Sequence, residues 1–187
     1  MKLQSMLRNF GGAMALTLVL ATASPNTWAQ TADSEEISNL LSQAKSHAAL
    51  ADDDAGRLES YTRSKLAWRT HAIKLQEIKQ HVNELLKVDA QLNDLRAQGS
   101  PWQQDAINQI DVHLKELAAL LTTTINHLND NQSHVHMQAF RDYAESNHDL
   151  IAKISAMIND YVDYDKAKSK AELLEQKLEL PAPSGAE

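Results

Sequence analysis

Eight histidines occur in a chain that has no cysteine, so a transition metal here would need imidazole, carboxylate or thioether ligands. Three of them surround one polar stretch: His127, His134 and His136, with Met137 beside the last. His127 falls about a turn before the end of one periodic segment, and His134 and His136 flank the start of the next. The three are expected at one end of a helical hairpin, where His with Met suits copper and His alone suits zinc or nickel. The competing account is electrostatic: His127 favours the negative end of its helix, and the other two are solvated turn residues.

Glu145-Ser146-Asn147-His148 has the Glu-x-x-His spacing that turns both side chains toward the core of di-iron carboxylate bundles. That chemistry needs two such motifs and two further carboxylates, and the chain has one motif, which reads first as a surface pair at helical spacing. His71 in an apolar stripe and Met157 beside another are the residue types that ligate a b-type haem, although each reads first as core. There is no Gly-x-Ser-x-Gly and no glycine-rich phosphate loop. Neither enzymatic activity nor a bound cofactor is expected.

The elements that must carry these residues are helices. Of five Gly and four Pro, few fall in the middle of the chain, and apolar residues there recur at steps of three and four. Asp33 and Ser34 are cap residues, with Glu36 in capping-box position after Asp33. Behind them a small apolar face runs Ile37, Leu41, Ala44, Ala48, Ala51, Ala55 and Leu58. Asp52-Asp53-Asp54-Ala55-Gly56 interrupts it with like charge and a glycine that costs about 1 kcal/mol in a helix. The stripe keeps its phase across that interruption, which favours a continuous or kinked helix over a turn. It resumes after a shift at Tyr61, Lys65 and Trp68, and continues through His71, Leu75, Ile78, Val82 and Leu85 to Leu92 and Leu95.

Ser100-Pro101-Trp102-Gln103 combines a cap, proline at the first helical position and a capping-box glutamine. Ile107, Ile110, Leu114, Leu117, Leu121, Thr124 and Leu128 follow, and Asn129 to Ser133 forms a polar turn. The last helix carries Phe140, Tyr143, Asn147, Ile151, Ile154, Ile158 and Tyr161, with Leu174 and Leu178 extending the stripe until Pro181. The expected fold is all-α: an elongated antiparallel bundle of three long helices, plus an N-terminal helical segment continuous with the first or folded onto it.

Lys2 and Arg8, the apolar run Phe10 to Ala23 and the small residues around Thr27-Trp28-Ala29 have the order of a secretory signal, cut after Ala29 or after Ala23. The run is fourteen residues long, short of the ~20 a membrane-spanning helix needs. The expected organisation is a cleavable leader at 1–29, a helical domain at 30–180 and a disordered tail at 181–187, with the mature protein periplasmic or secreted. Loss of Lys2 and Arg8 takes the formal charge from −7 to −9. An acidic chain without a basic patch repels phosphate backbones, so nucleic acid is not an expected partner.

Trp68-Arg69-Thr70-His71-Ala72, Pro101-Trp102-Gln103-Gln104 and His113-Leu114-Lys115-Glu116-Leu117 resemble segments of uncharacterised exported helical proteins of environmental bacteria. The resemblance implies a non-enzymatic exported bundle and supplies no functional residues. Together these features lead to a scaffold or interaction protein acting through helix faces. Its expected docking surface, for a second copy or a partner helix, is the alanine-rich face from Ile37 to Leu58. The alternative is a metal-binding bundle using His127, His134 and His136.

Overall fold

The computed structural model describes residues 32–178, and within them four helices account for nearly all of the backbone. The proposed leader and tail lie outside the described residues. α1 spans Glu35–Thr62, α2 Trp68–Leu95, α3 Pro101–Asp130 and α4 Gln138–Leu178; short 3-10 turns follow α2 and α3. Long-range pairs fix the directions. Asp54 meets Lys74 and His47 stacks near His81, so α2 runs back along α1. Glu59 meets His148 while Lys45 meets Asp163, so α4 is also antiparallel to α1. Consecutive helices are neighbours and α4 closes on α1, giving an up-down-up-down bundle.

The first helix is continuous through Asp52 to Gly56, as the phase of its stripe indicates, but it does not run on into Trp68. The chain reverses at Arg63–Ala67, so the N-terminal segment is folded onto the next helix by a turn eleven residues later than the aspartate cluster. This turn contains neither glycine nor proline, and Ala67 caps α2 without a side-chain hydrogen bond. It is held by backbone bonds from Arg63 N to Ser60 O and Ser64 N to Tyr61 O.

Three successive aspartates are tolerated because each points at a different partner, as the 100° step of a helix requires. Asp52 faces His148 on α4, Asp53 pairs with Arg57 one turn on, and Asp54 reaches Lys74 on α2. Gly56 lies beneath the His148 ring, where an added Cβ would stand 3.4 Å from Nε2.

The face from Ile37 to Leu58 is the inner seam of this bundle. Ala44, Ala48, Ala51 and Ala55 are buried against α2 and α4, so the surface expected to receive another chain is covered intramolecularly. Small side chains let the neighbouring helices approach closely on both sides, and larger residues on the other three helices fill the centre. One polar pair lies in that core: Asn147 Nδ2 donates to Thr124 Oγ1 at 2.6 Å and to Tyr143 O at 2.7 Å, pinning α4 to α3 in one register.

Candidate functional site

The histidines do not gather as a ligand set. His127 stacks on Tyr143 with ring centroids 4.9 Å apart, and Asn131 is its polar neighbour. His134 Nδ1 is 3.0 Å from Ser133 Oγ on the exposed 3-10 turn, while His136 is exposed and close enough to the buried His71 to disfavour its charge. Among the described residues no group of three or more His, Asp and Glu side chains is placed to hold a metal ion. His127, His134 and His136 therefore share one end of the bundle without converging.

His148 turns away from Glu145 and bonds to Glu59 across the α1–α4 interface, Nδ1 to Oε2 at 2.7 Å. That bond, with Arg63 alongside, holds the Glu59 carboxyl below the usual range. Asp52 lies 3.7 Å from the other ring nitrogen, on the far side of the ring, so the arrangement is a strut between helices. His71 and Met157 cannot share a haem. The His71 ring packs edge-on against Phe140 at 5.3 Å, and Phe140 is 17 residues from Met157 on one helix, about 25 Å away. Burial lowers the His71 pKa, and neither ring nitrogen has a side-chain hydrogen-bond partner.

The arrangement with most binding capacity lies at the opposite end, between the first turn of α3 and the outer side of α4. Pro101 at the first helical position starts α3 abruptly, and the Gln103 side chain closes the capping box by accepting from Ser100 N. Gln103 does more than cap its own helix. Its Oε1 also accepts from Ser34 N at 2.9 Å and its Nε2 donates to Ser34 O at 2.9 Å, which ties the start of α1 to the start of α3. Asp33, expected to cap α1, leaves that role to Ser34. It accepts instead from Trp102 Nε1 at 2.7 Å and from Lys168 of α4. Burial works to raise the Asp33 pKa, but the hydrogen bonds from Lys168 and Trp102 prevail and hold it below the ordinary value.

Fixed in this way, the Trp102 indole meets Tyr164 edge to face, with centroids 5.2 Å apart. Tyr161 is tethered by its hydroxyl to Asp105 of α3 at 2.8 Å, and burial together with that carboxylate pushes its pKa to about 12. Between these rings and Met157 is an open groove of about 580 Å³, walled by Trp102, Tyr161 and Tyr164 and flanked by Lys153 and Asp160. An apolar floor with a few charged groups at its edge is the composition of a recognition groove.

Beyond the groove, α4 outruns the bundle. Its last core residue is Val162, and from Ser169 to Leu178 nearly every residue is exposed. Leu174 and Leu178 do not extend the core stripe: they are 44% and 62% exposed. Positions that continue the core phase, Asp165, Ser169, Glu172 and Gln176, are polar. The apolar character of α4 has moved to the other side of the helix, in line with Tyr164 and Met157. Sequence reasoning placed Trp102 only as a cap neighbour and Tyr164 nowhere. The readable signal was this phase change after Val162.

No helix among the described residues is long and apolar enough to cross a membrane. No family model, no curated protein and no solved structure matches the chain, so the groove and the free end of α4 stand on their own geometry.

Proposed function

We propose that this chain is an exported, non-enzymatic interaction protein that works by helix-face packing, and that its docking face is the outer side of α4. The observation that carries the reading is where apolar surface is left uncovered. Leu50, Ile73, Val112 and Met137 are exposed at separate places, whereas Tyr164, Leu174 and Leu178 are exposed within fifteen residues of one helix, on the side that carries the aromatic groove. Scattered apolar residues are normal on a soluble surface; a contiguous set beside a groove marks a contact site. The leader-like start at Lys2 to Ala29 accords with action in the periplasm or outside the cell.

A photo-crosslinking residue at Tyr164, introduced in cells that export the protein, tests the reading directly. A discrete adduct that disappears in a Leu174→Glu background is the expected result. The same probe at Ile73, also exposed but isolated, is expected to give none. Equal labelling at the two positions would remove the docking face.

A further inference from the structure

The two uncovered parts of α4 are complementary to each other. The groove half presents Lys153, Met157, Asp160 and Tyr164 at helical spacing, and the overhang half presents Ala167, Ala171, Leu174 and Leu178 at the same spacing on the same side. Each half covers eleven residue steps, about 16 Å at 1.5 Å per residue. The groove is lined by large rings and a thioether. The near part of the overhang is alanine, narrow enough to lie against rings, and its far part is leucine.

We propose that the occupant of the groove is the α4 overhang of a second copy of this chain, so that two α4 helices pair antiparallel about a twofold axis near Asp165 and Lys166. This rests on the docking reading above and names its partner. Residue numbers facing each other then add to a constant, which brings Met157 against the partner's Leu174 and Tyr164 against the partner's Ala167. Lys153 lies over the partner's Leu178 and Asp160 over the partner's Ala171, with both charged heads free to reach the rim. At the edge of the seam Asp163 meets the partner's Lys170, and symmetry repeats that pair. In the molecule by itself Lys170 is exposed, and Asp163 makes only exposed contacts, with Lys45 at 3.5 Å and with Asn159 Nδ2 one turn away at 3.1 Å.

Charge decides the direction. A parallel, in-register pair would set Lys153 against its own image and Asp160 against its own image, two like-charge layers. The antiparallel pair has neither. It also places the two bundles end to end, so only the overhangs and groove ends overlap. An isologous contact of this kind closes on itself and leaves no open face for further growth.

The absence of cysteine makes the register measurable in protein purified from cells expressing the whole chain. Met157→Cys and Leu174→Cys in one chain are 17 residues apart on one helix, about 25 Å, too far to join to each other. Mild oxidation of the double variant is expected to give a covalent dimer, while either single variant stays monomeric under denaturing conditions, because each residue is equally far from its own image. Cross-linking by Leu174→Cys alone would overturn the antiparallel register. Reversal by Asp163→Lys or by Lys170→Asp is expected to weaken dimerisation about tenfold, since two exposed attractive pairs become repulsive, and the double reversal is expected to restore it. Both side chains are exposed, so folding is not at issue. A strictly monomeric mass at high micromolar concentration overturns the proposal. If Tyr164 then still captures a different polypeptide, the docking reading survives without the second copy, and if it captures nothing both fall.

Discussion

Asp89 is buried on α2 with Oδ1 unpartnered, and burial together with Asp111 on α3 pushes its pKa up to about 6. A folded-state pKa above the unfolded value means the fold prefers the protonated acid. The contribution of Asp89 to stability is therefore full below pH 3.8 and is lost as pH rises toward and through about 6. The gap corresponds to at most about 3 kcal/mol. Asp89→Asn is expected to raise stability at pH 8 by about 1–3 kcal/mol and to leave it unchanged near pH 3.5, as read from urea unfolding at both pH values. His71 works in the opposite direction. Its pKa is lowered by burial, so its contribution is present above pH 6.5 and declines as pH falls below it. His71→Leu is expected to reduce the loss of melting temperature between pH 7 and pH 5; an unchanged acid limb would show that another group controls it. Gln103 is a third residue whose role is read from its bonds. Gln103→Ala strands Ser34 N and Ser100 N together, with an expected loss of about 2–4 kcal/mol in chemical denaturation.

At the scale of elements, the two glycines among the described residues have opposite roles. Gly56 lies within α1, and an added methyl would make ordinary contact with His148. Gly56→Ala is expected to stabilise by about 0.5–1 kcal/mol, since alanine is the better helix former and restricts the unfolded chain. Gly99 joins α2 to α3 with φ of −78°, a conformation open to any residue, so backbone freedom does not explain it. Close approach does: a Cβ there would be 2.9 Å from Ile37 Cδ1 and 3.1 Å from Gln103 Cβ, both fully buried side chains. Gly99→Ala is expected to cost about 1–3 kcal/mol through overpacking, measurable as a lower melting temperature beside Gly56→Ala as the control.

For the whole molecule, covering the alanine seam inside the bundle changes what its surface can do. Had α1 continued past Thr62 into α2, Ala44 to Ala55 would have needed another chain to cover them. With the reversal at Arg63–Ala67 the four helices satisfy one another, and the unmet demand moves to the far end of α4. That helix has 41 residues, about 60 Å, against 28 for α1 and α2 and 30 for α3. The mismatch in length creates both the overhang and the groove, because one helix outruns its neighbours and Trp102 stands at the edge where they stop. Ending the chain after Val162 is not a clean test, since Lys168 secures Asp33 at the start of α1. Leu174→Glu with Leu178→Glu is cleaner and is expected to leave the melting temperature of the monomer within about 1 °C, because neither side chain is in the core.

Much of the architecture was legible in the residues themselves. Helical periodicity is a local property, so the stripes through Ile107 to Leu128 and Phe140 to Ile158 identified their helices and inner faces, except that Ala144 and not Tyr143 takes the buried position after Phe140. Ser100-Pro101 and the polar stretch after Leu128 marked real boundaries, because capping and turn chemistry act over a few residues. The turn at Arg63–Ala67 was not legible, since Thr62-Arg63-Ser64-Lys65-Leu66-Ala67 contains no residue that demands a turn. It exists because burying Leu58 and Leu75 on facing helices outweighs one more turn of α1, and its trace in the sequence is the one-residue slip between the two stripes. The fate of the histidines was equally a tertiary matter. Spacing can bring His127, His134 and His136 to one end of a hairpin, but whether side chains converge depends on which face each helix turns inward. That choice is made by packing between residues distant in the chain, and it sends His127 to Tyr143, His148 to Glu59 and Tyr164 to the rim of a groove.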